Sequence, residues 1–506
     1  MKPFKNHIVT LMTMMSALLL SCNKDIIDID PIENNTANAF YQNEIEARQA
    51  ITGIYARLGR NGTNTDFATD YYWLASENRS DLLYLVEGTS AQNDQLELRK
   101  YLISPNSGTV SGIFGRLYSL IKDANSLLFR TKEGEYTRYR AEARFMRAFA
   151  YFELLRSFGP VALITEPIEN RDAVALPREE PQVIYAQIIS DLEFAAVNLN
   201  KFYTGAEAGR IGSVAANALL GQVYMTMAGY PLNDGSAYAK AETVYAGIIA
   251  DVDTRFNPDY SKLFILENEN KNDIFSIQFA SGTNVGSSLP GFITSSPSSG
   301  SPFPEWTYAT YNLQGQDVRV DTMLVNQMKT RGDKRLMASI DTGYWNSTNP
   351  ATRTWVTRNI VTKFLEKDNT NTRIKAWNDF PRNFPIIRPA DVYLYYAEAL
   401  VVNGKAAIAR QYVDKLRLRA GLAPLAAFPT LENIKQERKY EFIGEGRRFF
   451  DLVRWGQAEA ISTLTSFAQH YHSQTNGQLP SAKDLLLPIP QSELNTRNNW
   501  NQNPDY

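Results

Sequence analysis

Residues 389–420 read PADVYLYYAEALVVNGKAAIARQYVDKLRLRA, and this stretch decides the fold. Pro389–Val402 runs as one helix to a break at Asn403-Gly404, and Ala406–Ala420 returns as a second that stops at Gly421. Small residues (Ala397, Ala399, Ala409) sit where the two helices would cross closely. An earlier stretch repeats the plan. Ser213–Ala228 ends at Gly229 and Tyr238–Ile249 returns, with Ala216, Ala218 and Ala241 at the crossing and Tyr245 and Ile248 on the apolar face. Each pair spans roughly 32 to 38 residues, the scale of a tetratricopeptide-like unit, whose helix pairs must stack to bury their faces. A general α-helical bundle is the simpler alternative.

Amphipathic helices fill the first half as well. In Glu44–Leu58 the residues Ile51, Ile54, Tyr55 and Leu58 follow the i, i+3, i+4, i+7 spacing of one helical face. Ile113–Phe129 carries Phe114, Leu117, Tyr118, Ile121 and Leu128. Arg140–Phe158 aligns Phe145, Ala148, Phe149 and Phe152 and ends at Gly159-Pro160. Pro181 opens a helix bearing Ile184, Ile188, Leu192 and Leu199.

The chain opens with Lys2 and Lys5, an apolar run from Ile8 to Leu20, then Ser21 and Cys22. That order is the pattern of a secretory signal peptide, and the run is shorter than the ~20 residues a membrane-spanning helix needs. Leu19-Leu20-Ser21-Cys22 resembles a bacterial lipoprotein box, in which the cysteine is acylated. Residues 1–21 then form the signal and residues 22–40 an acidic, polar tether carrying Asp25, Asp28, Asp30 and Glu33. Several acyl chains at Cys22 would anchor firmly where one would hold marginally.

Cys22 is the only cysteine, so the chain can form no internal disulfide and has no cysteine nucleophile or metal cluster. With 52 Lys+Arg against 54 Asp+Glu the formal charge is −2, and the chain lacks the basic excess of a nucleic-acid binder. Downstream of the signal only His470 and His472 remain, two residues apart, a spacing that diverges on a helix. No G-x-S-x-G, HExxH or phosphate loop occurs. These absences argue for a binding protein without cofactor or metal, not an enzyme.

The middle of the chain has a different texture. Between Ser281 and Pro304, 8 Ser, 4 Gly and 4 Pro point to a long loop. Strand-like runs flank it at Asp273–Phe279 and Trp355–Phe364.

Three motifs resemble a known family. Glu437-Arg438 precedes the run Glu445 to Gly456, EGRRFFDLVRWG. Tyr139–Tyr151 leads into Phe158-Gly159-Pro160-Val161, and the chain closes with Leu487-Pro488-Ile489-Pro490 and Asn501–Tyr506. With the lipoprotein-like start, these resemble the RagB/SusD family of surface nutrient-binding lipoproteins. The resemblance implies an all-α fold of tetratricopeptide-like helix pairs with a loop-rich ligand-binding half and a few short strands. One domain would cover residues 41–506, with scaffold at roughly 41–251 and 386–470, a variable region at 252–385 and a tail at 471–506. It implies an outer-membrane location facing the exterior, a glycan ligand and a SusC-like TonB-dependent transporter as partner. Arg447, Arg448 and Asp451 are expected to meet across one helical turn in a structural charge network, and the Pro-Ile-Pro segment to dock the tail as a strand.

A sugar ring offers an apolar face and a hydroxyl rim, so aromatic plates beside Asn, Asp and Arg suit it. Two stretches have that content. Tyr71, Tyr72 and Trp73 are followed by Asn78, Arg79 and Asp81, and Trp306, Tyr308 and Tyr311 follow the Ser/Gly/Pro loop. Trp345 and Trp355 are lesser candidates on the same argument. The same scaffold could bind oligopeptides, or serve as a tetratricopeptide-type assembly protein with no small ligand.

Overall fold

The computed structural model describes residues 41, 43–60, 65–86, 93–282, 285–293, 318–345, 349–365, 378–471 and 478–506. Cys22, its signal and its tether lie outside them.

The helices fall where the sequence punctuates them: α1 Glu44–Ala56, α2 Gly108–Arg130, α3 Thr137–Phe158, α4 Pro181–Asn198, α5 Ser213–Ala228, α6 Ala237–Asp253, α7 Thr322–Thr330, α8 Pro389–Val402, α9 Ala406–Arg419, α10 Leu431–Glu441, α11 Arg448–Trp455 and α12 Gln457–His470. Side-chain caps open several of them. Asn43 accepts from Glu46 N at α1, Ser107 from Val110 N at α2, and Thr430 with Asn433 forms a capping box at α10. Proline at the first turn starts α4 and α8, where its missing N–H costs nothing.

The long helices stack in chain order, α2 on α3, α3 on α4, α4 on α5 and α5 on α6. Then α6 packs on α8, which skips the middle of the chain, and α8 on α9. This is an all-α, tetratricopeptide-like array of antiparallel helices. The approach of α5 to α6 is close, for a Cβ on Gly221 would lie 2.4 Å from the Tyr245 ring. Glycine is the residue that lets those two helices meet.

Strands are few and short: β1 Leu83–Leu85, β2 Phe275–Ile277, β3 Val318–Val320, β4 Ile340–Trp345, β5 Trp355–Val361 and β6 Phe384–Ile387. They pair antiparallel as β1–β3, β2–β6 and β4–β5. The runs expected at 273–279 and 355–364 are thus strands, trimmed at their ends. Part of the Ser/Gly/Pro stretch is ordered after all: Ser287 bridges Phe380, and Leu289–Ile293 makes a short helix. The Pro-Ile-Pro segment forms no strand. It docks through single bonds, Leu487 N to the Ser157 carbonyl at 2.6 Å and Asn503 Nδ2 to the Phe158 and Leu487 carbonyls at 3.0 and 2.7 Å. One apolar cluster joins all these elements, from Ala47 of α1 to Trp500 of the tail.

Beneath α10 and α11 lies a second, charged core. Glu441 and Glu445 are fully buried. Arg388 reaches both, with Nη1 3.1 Å from Glu441 Oε1 and a two-pronged contact to Glu445 at 2.8 Å. Arg335 and Arg419 close on Glu441, and Lys363 Nζ lies 2.7 Å from Glu445 Oε1. Desolvating so many charges is expensive, and only complete pairing offsets it. Burial would raise the Glu441 carboxyl, but Arg419, Arg388 and Arg335 prevail and hold it down to about 2.

Arg447, Arg448 and Asp451 take part in this core but not with one another. Arg448 pairs with Asp81 at 2.7 Å, Arg447 faces Asp391 at 3.4 Å, and Asp451 receives Arg438 at 2.8 Å and Arg454 at 3.0 Å. The contact across one helical turn is made by Asp451 with Arg454, and the other three contacts go to three other segments. Each long guanidinium finds a buried acid on a neighbouring element, which the sequence spacing cannot reveal.

Candidate functional site

The first aromatic patch proves to be scaffold. Ala68–Ser76 winds as a π-helix, which carries i→i+5 bonding, and Tyr71, Tyr72 and Trp73 are 0%, 1% and 3% exposed. Tyr71 stacks on Phe67 at 4.9 Å and donates to the Glu153 carboxylate, while Tyr72 donates to its other oxygen at 3.0 Å. Asn78, Arg79 and Asp81 are equally buried. Arg79 donates to the Asp484 carbonyl and covers the Phe449 ring at 4.1 Å. Burial would raise Asp81, yet Arg448 and Lys439 hold its carboxyl well below the usual range. All six side chains face inward, so none of them presents a surface to a soluble ligand. The Glu77 that follows the π-helix accepts from Gly444 N at 2.7 Å and Gly446 N at 2.9 Å, which ties this segment to the EGRRFF motif.

Trp306, Tyr308 and Tyr311 lie outside the described residues, as does His472. The strand that follows their segment is described, however, and it meets the strand that precedes another. β3 leaves the stretch numbered 294–317 and pairs with β1, which enters the stretch 87–92, in the register Leu83↔Val320, Tyr84↔Arg319 and Leu85↔Val318. On the other side β3 neighbours β5, the return strand of the β4–β5 hairpin. Two short sheets therefore lie side by side in a region rich in rings.

Two aromatic groups stand there. Tyr84 of β1 stacks on Tyr471, just past α12, with ring centres 4.2 Å apart and planes 13° from parallel. The Tyr471 hydroxyl donates to Asp321 Oδ1 at 2.7 Å, and Asp321 also caps α7 through Met323 N and Leu324 N. Burial, then the Asp321 charge, pushes the Tyr471 hydroxyl up, so it stays a hydrogen-bond donor at every physiological pH. Both tyrosines are half-buried, with positions fixed by stacking, hydrogen bond and helix cap together.

Trp355 begins β5 and is 48% exposed, while Trp73 and Trp500 are buried and Trp455 is half-buried. Its indole lies across Gly343 of β4. A Cβ there would meet Trp355 Nε1 at 2.6 Å and Cε2 at 2.7 Å, and the backbone has φ +151°. Any other residue would push the ring off the sheet. The result is a flat apolar plate held against a strand and turned to solvent, which suits stacking on the C–H face of a pyranose. Sequence reading ranked Trp355 low and passed over Tyr84 and Tyr471, because exposure here depends on tertiary packing. The one local signal is the T-G-Y-W…T-W hairpin pattern, which pairs Gly343 with Thr357 and leaves the glycine diagonal to Trp355, where the indole can lie across it.

Among the described residues no group of His, Cys, Asp and Glu is arranged to hold a metal ion. No described helix is long and apolar enough to cross a membrane.

Comparison with known proteins sets these features in a lineage. Residues 273–506 match the model of the SusD family, and residues 31–225 match a model described as starch-binding, associating with the outer membrane. The chain belongs to the SusD family. The first match covers the charged core, the β4–β5 hairpin and the tail, and the second covers α1 to α5. SusD-like protein P25 of Formosa agariphila is 27% identical over 94% of this chain and 95% of its own length. Among solved structures, a SusD homologue from Bacteroides thetaiotaomicron superposes with TM-score 0.78 at 23% identity, covering 93% of this chain and 98% of its own. A laminarin-binding SusD-like protein superposes with TM-score 0.74 at 25% identity, covering 92% of this chain and all of its own. This SusD-family chain therefore has the family's architecture from the first helix to the tail.

Proposed function

We propose that this chain is a lipid-anchored protein on the outer face of the outer membrane that captures an oligosaccharide or polysaccharide and passes it to a SusC-like TonB-dependent transporter. It would perform no catalysis. The observation that carries the reading is the solvent-facing Trp355 indole, fixed over Gly343 on the edge where the ends of the 87–92 and 294–317 segments meet. Family membership supports it, because one matching model is described as starch-binding and one structural neighbour as laminarin-binding.

In this reading a sugar ring lies on Trp355, and neighbouring units reach the Tyr84–Tyr471 pair. Trp306, Tyr308 and Tyr311 supply further rings from their segment. Cys22 carries the lipid, which leaves the binding edge to face outward on its tether. Binding is passive. Aromatic plates held in place before the ligand arrives lose little conformational freedom, so modest contact areas yield useful affinity.

The test is a calorimetric screen of the protein lacking residues 1–22 against laminarin, starch, other polysaccharides and oligopeptides. Saturable binding to one glycan, weakened in Trp355→Ala and in Trp306→Ala without change in thermal midpoint, is the expected result. Binding to peptides alone, or turnover of a glycan, would replace the proposal.

A further inference from the structure

The three motifs that carry the family resemblance lie far apart in sequence, yet they surround one cavity. Gly159-Pro160 from the end of α3, Phe450 and Val453 from α11, and Asn503-Pro504 from the tail all line a space of about 410 Å³. The N-terminal turn of α4, the turn after α5 and Tyr395 of α8 complete the wall. This cavity belongs to the helical scaffold, and no residue of the β1–β3 or β4–β5 edge lines it.

Its chemistry is specific. The wall is mostly leucine, proline and aromatic carbon, and its two guanidinium groups are already engaged. Arg156 pairs with Glu153 and lies over the Phe450 ring at 3.7 Å, while Arg454 is paired with Glu398 and Asp451. The other charged residues of the wall are Lys483, whose ammonium lies 5.1 Å from the Tyr506 ring, and the acids Glu180 and Asp505, so the lining offers an anion no excess of positive charge. Two hydroxyls there are different. Tyr185 and Tyr395 are 5% and 4% exposed, and neither hydroxyl bonds to any described residue. With no protein partner and a cavity beside them, these hydroxyls can bond a ligand atom or water. Tyr230 is half-buried and has neither a ring nor a cation stacked on it among the described residues.

We propose that this cavity is a second binding site, for a neutral ring compound of the phenol class. The ligand ring lies against Tyr230, and its hydroxyl or other hydrogen-bonding edge group meets Tyr185 and Tyr395. Space of this size, apolar walls and a few convergent polar groups match the general form of small-molecule sites. A sugar fits the walls less well, because leucine, proline and aromatic carbon would face its hydroxyl rim over much of the lining. The site is independent of glycan capture at Trp355.

Ligand-observed NMR titrations of the full chain test this, with p-cresol, toluene and methyl β-glucoside as probes. We expect saturable p-cresol binding, weaker toluene binding and none for the glucoside. Tyr185→Phe with Tyr395→Phe should weaken p-cresol about tenfold and leave toluene unchanged, because only the hydrogen bond is lost. Tyr230→Ala should weaken both, and the isosteric Phe pair keeps the test valid if that variant fails to fold. The proposal is overturned if p-cresol does not saturate, if the double Phe variant binds it as the parent does, or if the glucoside binds better than p-cresol.

Discussion

The charged core under α10–α11 and the aromatic edge at β1–β3 and β4–β5 are built from similar side chains put to opposite uses. In the core, Arg388, Arg335 and Arg419 are buried and each meets an acid. At the edge, Trp355 and the Tyr84–Tyr471 pair are equally well fixed but turned outward. Rigidity is common to both regions, and solvent access separates them. Residue type alone does not tell a holding group from a displaying one; the partner packed behind it does.

Substitutions should separate the two regions by the quantity they change. The largest effect is expected from Arg388→Met, which leaves Glu441 and Glu445 buried with fewer partners and should cost ~3–5 kcal/mol in a denaturant titration. A loss under ~1 kcal/mol would show that the core tolerates unpaired acids and that the contrast is false. Next comes Gly446→Ala. With φ +68° and a Cβ placed 2.4 Å from the Tyr72 carbonyl oxygen, it should cost about 2 kcal/mol or more. Its glycan affinity, measured where the protein is folded, should match that of the parent.

Trp355→Ala reverses the pattern. It should reduce affinity for the glycan that the screen identifies about tenfold, equivalent to ~1.4 kcal/mol, and change stability by less than ~1 kcal/mol. Unchanged affinity with a large stability loss would make Trp355 one more structural ring. The smallest effect concerns pH. Burial raises Glu77 to about 7 against the pull of its bonds to Gly444 and Gly446, so its folded value exceeds its ordinary 4.5. It therefore supports the fold below about pH 4.5, and that support is lost as pH rises to 7. Glu441, held at about 2, behaves oppositely: its support is full above 4.5 and fades as pH falls toward 2. Stability curves of Glu77→Gln and parent should separate between pH 5 and 7.5 as the parent loses stability that the non-ionising amide keeps, and parallel curves would refute the assignment.

Much of the scaffold could be read from the sequence. Gly229, Gly404, Gly421 and Pro160 stop helices wherever periodicity ends, because these residues act through local backbone geometry. Buried ion pairs could not be read, since Arg388 and Glu445 lie far apart in sequence and a charged helical residue looks solvated. The Tyr71-Tyr72-Trp73 run misled for a related reason. Polar neighbours made it resemble a binding loop, whereas Glu153, Asp484 and Arg448 supply partners from distant elements that turn every one of those polar groups inward. Trp355 was visible as a residue but not as a surface.

The tail's contacts with Ser157 and Phe158 bear on how the molecule is made. At the C-terminal end of α3, in the middle of the first half, the Ser157 carbonyl receives its donor from Leu487, and the Phe158 carbonyl is shared by Arg178 and Asn503. A ribosome must therefore deliver nearly the entire polypeptide before that early helix is sealed, and until then the nascent protein is open to chaperones and proteases.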